Sequence, residues 1–182
     1  MRRKRRRTRG AWRGVLLVSL LPVLAVPLGA QPTPLGPEFQ LNTYTTDGQS
    51  FAAIAVDIGG NFVAAWQSES SGGGDVDNSI QVRRYRADGS PLDPVELQVN
   101  TYSTSDQWNP SLGVDLDGNF VVVWQSDGSP GTDTSLASVQ ARRFRADGSP
   151  LDATEFQLNE LTSGSQYGSS VGVDRSGNFV VA

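Results

Sequence analysis

Asn119-Phe-Val-Val-Val-Trp-Gln-Ser126 decides how this chain is read. Five consecutive apolar residues exceed what a strand with one wet face carries, because successive side chains point to opposite faces. Such a strand must be covered on both sides. The same segment stands earlier as NFVAAWQS at Asn61–Ser68 and later as NFVVA at Asn178–Ala182, at spacings of 58 and 59 residues. A period of this size marks stacked units, none of which buries its own apolar face.

The copies align without a gap outward from this strand, from Glu38, Glu96 and Glu155 to Ala65, Val123 and Ala182. Several columns are identical in all three, among them that Glu, Gln40/Gln98/Gln157, Asn42/Asn100/Asn159, Gln49/Gln107/Gln166, Asp57/Asp115/Asp174 and Gly60/Gly118/Gly177, with Asn-Phe-Val following that glycine each time. Four strands per unit follow. Strand A is SLGVD at Ser111–Asp115, and strand B is the apolar segment after an Asp-Gly type turn. Strand C is IQVRRYR at Ile80–Arg86 or VQARRFR at Val139–Arg145, and strand D is ELQVN or EFQLN after the turn ADGSP. Nothing beyond the N-terminal region has a helical period. The expected fold is all-β: four-stranded antiparallel blades of a β-propeller-like array, about two and a half units, with an open stack of sheets as the alternative. The expected division is a signal peptide at 1–30, a short linker at 31–37 and repeats over 38–182, with unit boundaries near 90/91 and 149/150.

The unit GNFVVVWQSDG…SVQARRFRADGSPLDATEFQLN resembles repeats of large secreted bacterial proteins, and the match runs from about Pro34 onward. The resemblance implies a β-propeller-like domain in a surface or adhesin-type protein. Some proteins with such repeats carry calcium-binding nonapeptides. Here GGGDVD at Gly72–Asp77 is a single imperfect echo of them.

Eight basic residues precede an apolar run from Val15 to Ala30, in the order of a secretory leader. Secretion to the periplasm, cell surface or medium is expected, with no membrane association once the leader is cleaved. Beyond Ala30 stand seven basic and 19 acidic residues, a net of −12. That surface disfavours nucleic acid, whose phosphates require Lys and Arg. The chain has no Cys and no His, which excludes disulfides, Cys/His zinc sites and Ser-His-Asp or Cys-His catalysis. No catalytic residue and no cofactor are assigned.

Three candidate features remain. Asp115 and Asp117 in the A–B turn form a fragment of a calcium loop, or simply a hairpin turn. Tyr102, Trp108, Tyr167, Asp75, Asp77 and Asp133 fall on the B–C and D–A connections, at one end of each blade. Acids beside aromatic rings there suit a glycan, or they are loop acids above packed rings. Arg83-Arg84 and Arg142-Arg143 are expected to form ion pairs between blades, with Asp57/Asp115 and Glu96/Glu155 as partners. The expected function is non-enzymatic interaction with a glycan or protein surface; a carbohydrate-active propeller and an inert gene product are the alternatives. Residue 182 falls within strand B of the third copy. The chain is therefore expected to be part of a longer array, or its half blade to pair with the lone D strand near Glu38–Asn42, within one molecule or between two. Exposed blade surface makes self-association an expectation as well.

Overall fold

A computed structural model describes residues 36–70, 77–128, 131–133 and 135–182. The leader and Asp75 lie outside the described residues. Residues 39–182 cluster as one unit. Among the described residues every regular element is a strand: β1 Gln49–Val56, β2 Phe62–Glu69, β3 Asn78–Tyr85, β4 Leu97–Gln98, β5 Gln107–Val114, β6 Phe120–Asp127, β7 Ala137–Phe144, β8 Phe156–Gln157, β9 Val171–Val173 and β10 Phe179–Val181. They form two four-stranded antiparallel sheets, β1-β2-β3-β4 and β5-β6-β7-β8, and a two-stranded sheet, β9-β10. None of the sheets is closed. The β9-β10 sheet holds only these two strands, so within one molecule Glu38–Asn42 does not join the half blade.

Strand B is buried on both faces, as its composition requires. On β6, Phe120 through Trp124 are each 4% exposed or less. Phe120, Val122 and Trp124 face the first sheet and join Val63, Ala65, Ile80, Val82 and Val99 in one core. Val121 and Val123 face the other way and pack with Ala141 under Val171, Val173, Phe179 and Val181. Each unit thus lays its front face on the back face of the unit before it. The front of the first sheet, with Ala64, Trp66 and Tyr85, receives Leu41.

Two strands differ from expectation. Strand A is longer than predicted, because a bulge lets it continue past an irregularity. The β1–β2 register shifts between Ser50 and Ala53, and the β5–β6 register between Trp108 and Ser111. Phe51 and Asn109 sit in these bulges with φ of 53° and 50°. Strand D is shorter, two residues in each sheet, because side chains take over its pairing. Asn100 Oδ1 accepts from Ile80 N at 2.8 Å and Asn159 Oδ1 from Val139 N at 2.9 Å, each extending the C–D ladder by one rung.

Within each unit the conserved-column Gln holds the strand-B indole. Trp66 Nε1 donates to Gln49 Oε1 at 3.0 Å and Trp124 Nε1 to Gln107 Oε1 at 2.8 Å. Trp124 and Gln107 are both fully buried, so the indole N–H has no access to water if Gln107 is lost. Gln107→Leu should destabilise the fold by about 1–3 kcal/mol. Gln49 is only half-buried, so Gln49→Leu should cost clearly less. Urea unfolding of the two variants checks both the size and the order.

Candidate functional site

The arginine pairs come first, because the structure reassigns their partners. Arg83 and Arg142 are 7% and 8% exposed. Each donates to three backbone carbonyls instead of to an acid. Arg142 Nε and Nη2 reach Asp152 O and Ala153 O of its own unit, and Nη1 reaches Val99 O of the preceding one at 2.8 Å. Arg83 repeats this with Asp93 O, Pro94 O and Leu41 O. A guanidinium is charged at every accessible pH and offers five donors in a fixed fork. Buried without an acid, it is satisfied by carbonyl dipoles on both sides of the unit boundary. Each also lies over a ring, Arg83 on Tyr85 and Arg142 on Phe144, about 5.5 Å and 5.4 Å from the centroids.

The second arginine of each pair does meet an acid, but within its own unit: Arg84 with Asp93 and Arg143 with Asp152. Asp57 and Asp115 are not partners. Their carboxylates close their own turns, accepting Asn61 N and Nδ2 in one and Asn119 N and Nδ2 in the other, all at 2.9 Å. Nor are Glu96 and Glu155. They clasp backbone across the unit boundary: Glu96 accepts Thr43 N and Tyr44 N, and Glu155 accepts Thr101 N and Tyr102 N at 2.9 and 2.8 Å. The threonine hydroxyls bond the same carboxylates.

The A–B turn gives Asp115 a role that does not involve metal. Its Oδ1 also accepts Asp117 N at 2.9 Å, so both oxygens serve the turn. Asp174 repeats the pattern with Ser176 and Asn178. Among the described residues no group of three or more acids is placed to hold a cation. Millimolar calcium should leave the melting temperature unchanged; a rise of several degrees would restore the metal reading.

At the opposite end of the sheets, the D–A and B–C connections meet as expected from the strand order. Asp106 Oδ1 accepts Asn78 N and Nδ2 at 3.1 and 2.8 Å, joining the connections of neighbouring units. Tyr102 carries its hydroxyl beside Gly128. Trp108 is half-buried on β5, and Asp77 is half-buried next to β3. Asp133 is 1% exposed. Its oxygens accept Asn159 Nδ2 at 2.8 Å and Ser135 N at 3.1 Å. It is therefore a buried brace for the loop and is not presented to ligand. Tyr167 is 74% exposed.

Tyr167 borders an open cavity of about 670 Å³ with Leu158, Gln166, Ser169, Phe179 and Val181 in its wall. The Ser169 hydroxyl there is shielded and has no hydrogen-bond partner among the described residues. A second cavity of about 410 Å³, with Leu41, Asn42, Gln49 and Trp66, lies at the first sheet. Leu158, Asn159 and Gln166 are the repeat equivalents of Leu41, Asn42 and Gln49. The equivalent position between the two complete sheets is filled, with Val99, Asn100, Gln107 and Trp124 all buried. In both complete sheets this position is held by the same Gln–indole bond, Gln49 with Trp66 and Gln107 with Trp124. Sequence reading finds Tyr167 but misses this pairing; the signal is the Gln column 17 residues before Trp66 and Trp124.

No protein-family model and no curated protein matches the sequence.

Several carboxyls that hold the scaffold are shifted down. Burial pushes Glu96 up, but hydrogen bonds from Thr43 and Tyr44 outweigh it and hold its pKa below the ordinary value. The hydrogen bond from Arg143 lowers Asp152, and that from Asn178 lowers Asp174. A lowered folded-state pKa stabilises the fold at pH above the ordinary carboxyl value of about 4. That contribution disappears as the pH falls through the folded values. The melting temperature should therefore be flat near neutrality and decline below about pH 4, with a shallower decline in Asp152→Asn. Melts across a pH series in wild type and variant measure it.

Proposed function

We propose that the chain is a secreted, non-enzymatic β-repeat module that binds an extracellular glycan or protein surface through the loop end bearing Tyr167. The observation that carries this reading is how the charged side chains are used. The buried or boundary charges Arg83, Arg142, Asp93, Asp133, Glu96 and Glu155 are each bonded into the scaffold. The loop end offers instead an exposed ring beside apolar side chains. That equipment suits stacking against a ring-shaped ligand more than proton transfer. The basic, then apolar, then small-residue leader supports an address outside the cytoplasm. The acid excess beyond it supports solubility there and argues against nucleic acid.

A glycan array run beside a hydrolysis assay tests this reading. Binding without turnover is expected, and Tyr167→Ala should weaken it about tenfold, the loss of one stacked ring. Turnover that disappears in Asp77→Asn or Asp133→Asn would favour a carbohydrate-active enzyme instead.

A further inference from the structure

Residues 38–44 hold the place of a strand D on the front of the first sheet. Leu41 O accepts Arg83 Nη1 as Val99 O accepts Arg142 Nη1, and Glu96 clasps Tyr44 N as Glu155 clasps Tyr102 N. The residues just ahead supply no strand C for it: 31–37 read Gln-Pro-Thr-Pro-Leu-Gly-Pro, and prolines so spaced do not form an inner strand. Two carboxamides are left over as a result. In the second sheet Gln157 Oε1 accepts Asp133 N at 3.0 Å and Asn159 Oδ1 accepts Val139 N at 2.9 Å, both from their own unit. The repeat equivalents are Gln40 and Asn42. Among the described residues Gln40 Oε1 accepts no hydrogen bond, and Asn42 Oδ1 accepts only the Gln40 amide at 3.3 Å.

Both carboxamides border the cavity of about 410 Å³ at the first sheet, which Phe39, Gln49, Phe51 and Trp66 also line. Every side chain in its wall is uncharged. Phe39 and Phe51 are 53% and 63% exposed. Phe51 stands in the left-handed region with φ of 53°, where its repeat equivalents Asn109 and Gly168 have 50° and 73°. Asn and Gly adopt that conformation readily, whereas it strains an aromatic residue. Packing within the fold does not account for the strain, because most of the Phe51 ring faces solvent. Strain of this kind is retained where a side chain serves a site.

We propose that this cavity binds a hexose-sized ring of a neutral glycan. Phe51 is the stacking platform, and the amide oxygens of Gln40 and Asn42 accept hydrogen bonds from ring hydroxyls. The volume lies within the ordinary range of small-ligand pockets, about 300–1,000 Å³, and an apolar wall with a few convergent polar groups is their usual make-up. An aromatic face suits the apolar C–H face of a sugar. The carboxamide oxygens favour a ligand with hydroxyls over a purely apolar ring, which would leave them unpaired. A wall without charge favours a neutral sugar over an ionised one, whose desolvation nothing there would offset. This site is separate from the Tyr167 loop end and stands whether or not that end binds ligand.

Saturation-transfer NMR on the 182-residue chain tests it, with the methyl glycosides of glucose, galactose, mannose and N-acetylglucosamine as probes. Transfer to at least one of them is expected, with a Kd of about 1 mM, the weak end of the affinity scale. Phe51→Asn should weaken that binding about tenfold, the loss of one stacked ring. The same variant should melt no lower than wild type, because Asn109 holds the equivalent bulge in the same conformation. A ring that served only packing would lower the melting temperature and leave binding intact. Gln40→Leu alters an exposed side chain and should also weaken binding, which keeps the proposal falsifiable if Phe51→Asn does not fold. Tyr167→Ala should leave the transfer unchanged. Transfer to none of the four probes, or binding that survives both Phe51→Asn and Gln40→Leu, would overturn the proposal. Binding lost in Tyr167→Ala alone would overturn it too and place the sugar at the loop end.

Discussion

The structure depends on strand B having apolar side chains on both faces. Val121 and Val123 point one way, and Phe120, Val122 and Trp124 the other. Covering one face still leaves the second in water, at about 25 cal/mol for each Å² of apolar surface. A strand of this composition is stable only between two neighbours. The units are therefore not independent domains, and the free energy of each sheet lies largely in the boundary it shares.

The polar groups follow from that condition. Once two sheets are pressed together, boundary groups lose water and need partners across it. Arg142 supplies donors to the carbonyl of Val99, and Glu155 supplies acceptors to the amides of Thr101 and Tyr102. Arg83 and Glu96 do the same one unit earlier. An arginine bonded to carbonyls of both units also fixes their register, which a purely apolar contact would leave free to slide. The contrast within the second arginine pair shows what coverage does. Arg84 is 12% exposed where Ala146 of the next unit accepts from it, whereas Arg143 is 48% exposed.

The periodic features of this fold were legible in the sequence. Continuous apolarity predicted a doubly buried strand B, and Asp-Gly punctuation located the A–B and C–D turns. The bulge at Phe51 went unread because Phe does not announce a left-handed conformation; the signal was in its repeat column, where Asn109 and Gly168 adopt the same positive φ and are residue types that favour it. The short D strands were missed because Asn100 and Asn159 replace ladder bonds with side-chain bonds, which leave no trace in hydrophobic period. The arginine partners were assigned by charge, and burial overturned that: a desolvated guanidinium is satisfied by several carbonyls as well as by one carboxylate. At the loop end, Tyr167 was found as an aromatic, whereas Asp133 was taken for a surface acid and is a buried brace. The identical Gln, Asn and Glu columns carried this information, and their meaning emerges only when the partner of each is known.

If stability resides at the unit boundaries, the two complete sheets open together. Native-state hydrogen exchange measures this directly. The amides of β2 and β3 should exchange with the same opening free energy as those of β6 and β7, and Arg142→Met should lower both sets equally, although it alters only the second sheet. Two sheets that open with separate free energies, with the substitution affecting the second alone, would contradict the account.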